Sequence, residues 1–204
     1  MYFITDNNKG GEIPVIINDS IFHDNRGSFR ILNTIDNSLF HVDQLNVSVS
    51  KPGVFRGMHW QKGEASQAKI VTVLKGRVID FVLDLRPEFP TFKNLSIFNL
   101  DAKNGQALYV PHGFAHGFIN VADEESVFMY AVDSPYNPEA DFGCRFDSMG
   151  GRAGEISENY LKSLLPNENQ ELIISEKDLN LPPLNTILDP ALFPSAKSPW
   201  KSLF

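Results

Sequence analysis

GQALYVPHGFAHGFIN, residues Gly105–Asn120, is the stretch of this chain that says most about its architecture. It contains the short apolar run Ala107–Val110, bounded on both sides by turn-forming residues, and such a run predicts a β-strand. From Ile13 to about Asp147 the pattern repeats, with short apolar or alternating runs separated by Gly, Asn, Asp and Pro. Many short strands at close spacing predict an all-β sandwich or barrel.

Six further runs rich in β-branched and aromatic residues are also predicted as strands. Two of them flank the turn dipeptide Lys75-Gly76, so we expect Gln67–Leu74 and Arg77–Leu85 to pair as a β-hairpin. The other four are Ser28–Asn33, Asn46–Ser50, Leu95–Leu100 and Ser126–Val132.

The pattern changes in the last quarter of the chain. Three glycines within residues 150–154 predict a flexible joint, and apolar residues at helical spacing over Ile156–Leu165 predict one amphipathic helix. The tail from Leu179 is rich in proline, so we expect it to lie extended across the body without forming new elements. We therefore divide the single domain into a barrel, residues 1–147, and a helical and extended appendage, residues 148–204, packed on the barrel.

Composition excludes several classes of protein. The 204 residues suit one domain, and 18 Lys plus Arg against 25 Asp plus Glu give a net charge of -7 that argues against nucleic-acid binding. An anionic ligand must therefore meet a local basic cluster. The single cysteine, Cys144, and an N-terminus without signal-peptide features lead us to expect a cytoplasmic protein. No apolar run approaches the roughly 18 residues of a membrane span, so we expect no membrane association.

Gly105–Asn120 resembles the second conserved motif of the cupin family. The first cupin motif usually contains a His-x-His pair of metal ligands, whereas here His59 is followed by Gln61. Only His59, His116 and Glu64 are candidate ligands, which is a poor set for a transition metal. We therefore predict no metal and no other cofactor.

A second resemblance is more specific: VFRGMHWQ, residues Val54–Gln61, is similar to the RGLHxQ signature of the dTDP-4-dehydrorhamnose 3,5-epimerases, which are metal-free cupins. The resemblance covers roughly residues 20–141 and implies a cupin jelly-roll β-barrel. It also implies an isomerase that inverts C3 and C5 of a nucleoside-diphosphate 4-keto-6-deoxyhexose for deoxysugar and polysaccharide biosynthesis. The other matching segments are Asp24–Phe29, Gln44–Ser48, Gln67–Val71, Asp80–Arg86, Thr91-Phe92 and Pro111–Phe118.

The resemblance assigns four catalytic residues. Inversion beside a ketone requires a base, a group that stabilises the enolate oxygen and an acid on the opposite face. The family's base matches His59, its orienting aspartate matches Asp178 in the stretch Ser175–Asp178, and its acid matches Tyr130. Its enolate-stabilising lysine matches Lys69. Structural alternatives exist for each: a core histidine, a helix N-cap, a cross-strand aromatic residue and a solvated edge-strand lysine, respectively.

Eight further residues match family positions that bind the nucleotide-sugar. Arg26 and Arg56 match residues that meet the diphosphate, for which guanidinium groups suit bidentate contacts, although either could instead form a structural ion pair. The remaining six are Gln44, Asn46, His116, Tyr136, Phe22 and Phe29. The family also implies a homodimer with exchanged strands, in which the region Phe22–Arg26 completes the neighbour's site.

Two departures from the family pattern leave alternatives open. Ile31 stands where the family has a glutamate that helps hold the nucleotide, and Arg145–Asp147 replaces a W-N-D motif. One alternative is therefore a single-centre epimerase, or an epimerase that uses another nucleotide. A metal-dependent cupin enzyme and a non-catalytic sugar-binding cupin are the other two.

Overall fold

The computed structural model describes residues 5–6, 11–33, 40–148 and 156–196. These ranges contain fifteen strands, two α-helices and four short 3-10 helices. The strands are β1 (Thr5–Asp6), β2 (Gly11–Glu12), β3 (Val15–Asn18), β4 (Ser20–Asp24), β5 (Gly27–Ile31), β6 (Gln44–Ser50), β7 (Val54–Gln61), β8 (Lys69–Lys75), β9 (Arg77–Asp84), β10 (Leu95–Asp101), β11 (Gln106–Val110), β12 (Phe114–Asn120), β13 (Ser126–Val132), β14 (Asp141–Gly143) and β15 (Ile173–Ile174). The helices are α1 (Glu158–Ser163) and α2 (Glu176–Leu179), and the 3-10 helices are Ala102–Asn104, Phe146–Ser148, Leu184–Thr186 and Pro190–Leu192.

Two large sheets form the barrel. The six-stranded sheet has the order β10-β9-β12-β7-β14, with β15 paired in parallel to β7, and the five-stranded sheet has the order β3-β11-β8-β13-β6. All other pairings within the two sheets are antiparallel. The predicted all-β jelly-roll barrel is confirmed.

The core lies on both faces of the six-stranded sheet. Between the sheets, Phe118 of β12 stacks on Phe128 of β13 with ring centroids 4.2 Å apart. On the other face, Phe55 packs in a cluster with Leu161 of α1 and Leu184 of the tail. Burying each such side chain contributes about 1.5–3 kcal/mol. The C-terminal segment therefore covers the outer face of the sheet that carries β7.

The predicted hairpin at Lys75-Gly76 is wrong. Both strands exist, but β8 pairs with β11 and β13, whereas β9 pairs with β10 and β12 in the other sheet. Gly76 has a φ of +80°, and a Cβ there would lie 3.1 Å from the Cα of Ser126. A glycine turn permits either a hairpin or a crossing between sheets, so the dipeptide alone does not distinguish them. The ends of all seven predicted strands agree with the structure to within two residues.

The C-terminal predictions are partly confirmed. Helix α1 lies within the predicted range and begins after Ser157, whose hydroxyl accepts the N–H of Tyr160. The tail, however, forms two 3-10 helices that we did not predict, one of which has Pro190 in its first turn and is capped by Asp189. Proline suits a first helical turn, which explains the difference. The predicted glycine joint at 150–154 lies outside the described residues. Within the described part of the chain, no helix is long and apolar enough to cross a membrane.

Candidate active site

A cavity of about 520 Å³ opens between the two sheets. Strands β7 and β12 of the six-stranded sheet form one wall, and β6, β8 and β13 of the five-stranded sheet form the other. Strand β14, the loop before it and helix α2 line the rim.

An imidazole–carboxylate pair lies in the wall formed by β7. The Nε2 atom of His59 is 2.8 Å from Oδ1 of Asp178, a residue 119 positions later in the sequence. Oδ2 of Asp178 accepts the backbone N–H of Gly57, and Ser175 caps helix α2 by accepting the N–H of Asp178. Desolvation pushes the pKa of Asp178 up, but the hydrogen bonds from His59, Gly57 and Ser175 outweigh it and lower the pKa overall. Asp178 is thus an ionised, buried partner of His59 and not an N-cap.

Glycine at position 57 allows this arrangement. Gly57 has a φ of +134°, and a Cβ there would lie 2.6 Å from the Cα of Gly117 on β12. The pairing of β7 with β12 shifts register at this point, between His116 and Phe118. The close approach of the two strands makes His59 and His116 direct cross-strand partners.

His116 forms a second imidazole–carboxylate pair. Its Nε2 atom lies 2.8 Å from Oδ2 of Asp80, which is fully buried on β9, and its ring stacks on Phe128. Burial raises the pKa of Asp80, while His116 and the nearby Lys69 cation oppose that rise. Two histidines of adjacent strands are therefore each anchored through Nε2.

Lys69 and Tyr130 occupy the opposite wall. Lys69 is the first residue of β8, which lies inside its sheet between β11 and β13, so it is not an edge-strand lysine. Burial lowers the pKa of Lys69 to about 8, although Asp80 and Asp141 oppose this effect. Desolvation raises the pKa of Tyr130, which the cation of Arg56 partly offsets. The phenol therefore stays protonated at neutral pH and can act as an acid.

Comparison with known proteins agrees with this geometry. The sequence profile described as dTDP-4-dehydrorhamnose 3,5-epimerase matches residues 13–186. The dTDP-4-dehydrorhamnose 3,5-epimerase of Methanothermobacter thermautotrophicus is 33% identical over 177 residues, which are 83% of this chain and 89% of that protein. The chain belongs to the dTDP-4-dehydrorhamnose 3,5-epimerase family. The predicted family and its isomerase class are thereby confirmed.

Solved structures of this family superpose on most of the chain. The epimerase of Legionella pneumophila in complex with dTDP-4-keto-L-rhamnose is 28% identical, with a TM-score of 0.75 and coverage of 91% of this chain and 94% of that one. A 3'-monoepimerase from Streptomyces bikiniensis in complex with dTDP-quinovose is 26% identical, with a TM-score of 0.73 and coverage of 90% of each chain. Both double and single epimerases thus share this fold.

Five of the eight predicted substrate-binding residues line the cavity. They are His116, described above, and Gln44, Asn46, Arg56 and Tyr136. The amide of Gln44 donates to Asn46 at 2.7 Å, and its carbonyl oxygen accepts the backbone N–H of Tyr136. The guanidinium of Arg56 is held by the hydroxyl of Ser50 at 3.0 Å. These polar groups are fixed by the protein around the open cavity.

The structure does not bring the other three predicted binding residues to the cavity of this chain. Phe22 and Phe29 lie on the two-stranded β4–β5 sheet with 57% and 65% of their surface exposed. Arg26, in the turn between these strands, forms an exposed ion pair with Asp24 at 2.6 Å. The β4–β5 hairpin therefore exposes three side chains that match binding residues of the family, and these side chains do not line the cavity of the same chain.

Sequence reasoning missed several residues that line the cavity. Oδ2 of Asp141 accepts the ammonium of Lys177 at 2.6 Å and the hydroxyl of Tyr136 at 3.1 Å. Gln61, which replaces the second cupin histidine, accepts the backbone N–H of Asn137 and so holds the rim loop. Lys177 could have been predicted, because it belongs to the stretch that resembles the family's Ser-x-Lys-Asp motif. Asp141 belongs to none of the motifs that indicated a site.

The candidate metal ligands do not form a metal site. Glu64 is exposed and does not line the cavity, while Nε2 of both His59 and His116 is occupied by a carboxylate. Across the residues that the structure describes, no group of three or more His, Cys, Asp and Glu side chains is placed to hold a metal ion.

Proposed function

We propose that this protein inverts C3 and C5 of dTDP-4-dehydro-6-deoxy-D-glucose to give dTDP-4-dehydro-L-rhamnose. The observation that carries the proposal is the opposition, across one cavity, of the His59–Asp178 pair and the protonated groups Lys69 and Tyr130. The activity named for the relatives and the dTDP-sugar bound in the Legionella structure support this substrate class. A homodimer and a cytoplasmic location belong to the same proposal.

His59 is the base in this mechanism. Because Nε2 carries the proton that is donated to Asp178, the lone pair resides on Nδ1, the nitrogen available to the substrate. Nδ1 removes the proton from C3, and the electrons of the broken C–H bond form a C3–C4 double bond. The C4 carbonyl oxygen becomes an enolate oxygen, and Asp178 stabilises the new imidazolium.

Lys69 stabilises that enolate. An ammonium ion next to the C4 oxygen interacts more strongly with the enolate than with the neutral ketone, which lowers the barrier. With a pKa of about 8, Lys69 is mostly protonated at neutral pH yet less tightly solvated than an exposed lysine.

Tyr130 completes the inversion. It donates its hydroxyl proton to C3 from the opposite face, so the C4 ketone is restored with the configuration at C3 reversed. The imidazolium then gives up its proton to water, and the tyrosinate regains one from water. The same sequence at C5 inverts the second centre.

The nucleotide-sugar is held by polar groups of both walls and of the rim. Arg56 is suited to the diphosphate, and Gln44, Asn46 and Tyr136 present further polar groups to the same cavity. We place Arg26, Phe22 and Phe29 at the cavity of a second copy of the chain, because their hairpin is exposed on this one.

Proton NMR in deuterium oxide tests the proposal. Wild-type protein incubated with dTDP-4-dehydro-6-deoxy-D-glucose is expected to place deuterium at both C3 and C5, and His59→Ala to slow that exchange by about 10²–10⁴-fold. Exchange at neither carbon, with the protein folded, would contradict the proposal.

A single-centre epimerase is the second candidate, since a 3'-monoepimerase shares the fold with a TM-score of 0.73. Deuterium at one carbon only would select this candidate. Ile31 stands where the family has a carboxylate that helps hold the nucleotide, so the identity of the nucleotide needs its own test. Competition binding of dTDP, UDP, CDP and GDP provides it. Tightest binding of a nucleotide other than dTDP would overturn the thymidine assignment.

A further inference from the structure

Asp141 connects two parts of the rim that are distant in sequence. It is the first residue of β14, where it pairs with Gln61, and its side chain is 18% exposed. Its Oδ2 atom accepts Lys177 of α2 at 2.6 Å and the hydroxyl of Tyr136 in the loop before β14 at 3.1 Å. The contact with Lys177 is a short charge-assisted hydrogen bond, and the longer contact with Tyr136 is a second, weaker restraint.

Each of these partners adjoins a different functional group. Lys177 immediately precedes Asp178, so fixing its ammonium fixes the short helix that presents Asp178 to His59. Tyr136 donates its backbone N–H to Gln44, which in turn donates to Asn46. One carboxylate therefore joins the base to the polar groups that line the other wall.

From this juxtaposition we propose that Asp141 is a positioning residue for epimerisation: it holds α2, and with it Asp178, together with Tyr136 around the bound sugar. The inference rests on the proposed function. Asp141 is given no contact with the reacting atoms, since its Oδ2 is already engaged by Lys177 and Tyr136.

The charge of Asp141 gives the proposal a second, independent consequence. Asp80 and Asp141 are the two anions that raise the pKa of Lys69 against the effect of burial. Removing the charge of Asp141 therefore favours the neutral amine, so activity is lost at a lower pH than in the wild type. Asp80 on β9 and Asp141 on β14 act on Lys69 directly, and the other titratable or charged side chains that line the same cavity are His59 and Arg56 on β7, His116 on β12, Tyr130 on β13, Tyr136 in the loop before β14, and Lys177 and Asp178 on α2.

Two variants break the same ion pair with opposite changes of charge. Asp141→Asn and Lys177→Met are each expected to lower kcat for epimerisation, by up to about 10²-fold, because misplacement of catalytic groups by about 1 Å has effects of this size. The double variant should be no slower than the slower single variant, since both changes remove one link. Glu158→Gln, which breaks the exposed ion pair with Lys162 on α1, is the matched control and should leave kcat unchanged.

The pH profile separates positioning from a general structural defect. Asp141→Asn should move the alkaline limb of kcat to lower pH, whereas Lys177→Met, which removes a cation, should not. Asp141→Glu should retain the wild-type limb. Thermal unfolding of each variant checks that it is folded at the assay temperature.

Wild-type activity with unchanged kcat, KM and pH profile in folded Asp141→Asn would overturn the inference, as would a downward shift of the limb in both single variants. Deuterium exchange by the wild type, measured in the same series, distinguishes a failure of the proposed function from a failure of the proposed role of Asp141. Its absence would contradict the proposed function, whereas exchange by the wild type and an unaltered Asp141→Asn would overturn the positioning role alone.

Discussion

The two sheets of the barrel hold their functional side chains by different means. In the six-stranded sheet, His59 and His116 are each anchored by a hydrogen bond of 2.8 Å from Nε2 to a buried carboxylate. In the five-stranded sheet, the described residues include no carboxylate that hydrogen-bonds to Lys69 or Tyr130, and burial is the largest influence on the pKa of each. A base needs a fixed tautomer and direction, whereas an acid and an enolate-stabilising cation need a suitable pKa.

This division suits inversion at carbon. An enolate is flat, so a reaction that takes a proton from one face and returns one to the other needs two walls. A barrel made of two facing sheets provides both walls. Substitutions in one wall at a time test whether the two walls have these different functions.

The largest effect is expected from removal of the base. His59→Ala should lower solvent exchange and epimerisation by about 10²–10⁴-fold, because general base catalysis contributes on that scale. Binding of dTDP, measured by titration calorimetry, should change little, since we propose that other groups hold the nucleotide. Epimerisation by a folded His59→Ala at the wild-type rate would show that the six-stranded wall does not carry the base.

Removal of its anchor should have a smaller effect. Asp178→Asn keeps the shape of the side chain but loses the charge that orients His59 and stabilises the imidazolium, and we expect a fall in kcat of about 10²-fold with KM nearly unchanged. Steady-state kinetics on the purified variant measures kcat and KM separately. A rise in KM at constant kcat would instead place Asp178 in substrate binding.

The opposite wall should determine the alkaline limb of the pH profile. With a pKa of about 8, Lys69 loses its charge as the pH rises through that value, so kcat should fall there while Tyr130, whose pKa is raised, is still protonated. Lys69→Arg keeps a cation at all these pH values and should move the limb upward, at a lower maximal rate. An unchanged limb in this variant would assign the titration to another group.

The smallest effect is expected on stability in acid. The pKa of Asp178 lies below its usual value of 3.8, so the stabilisation it contributes is complete above pH 3.8 and is lost as the pH falls through the lower, folded-state value. The free energy of unfolding in urea should therefore fall more steeply below pH 3.8 for the wild type than for Asp178→Asn. Parallel curves for the two proteins would mean that folding does not lower the pKa of Asp178.

Strand patterning predicted the barrel because alternation and turn residues are local signals. The pairing of His59 with Asp178 spans 119 residues, and only the resemblance of two separate motifs to one family connected them. The crossing at Gly76 and the contacts of Asp141 depend on which strands become neighbours. A single sequence carries no signal for that choice, since the same dipeptide turns the chain within a sheet or between sheets.

Tyr130→Phe in deuterium oxide tests most directly whether base and acid act from facing walls. With His59 intact, proton removal continues, the imidazolium exchanges that proton for solvent deuterium, and the same imidazole returns deuterium to the face from which it took the proton. We predict substrate labelled at C3 and C5 with its original configuration, and little inverted product. Inverted product formed at the wild-type rate would contradict the account, because the returning proton would then come from a group other than Tyr130.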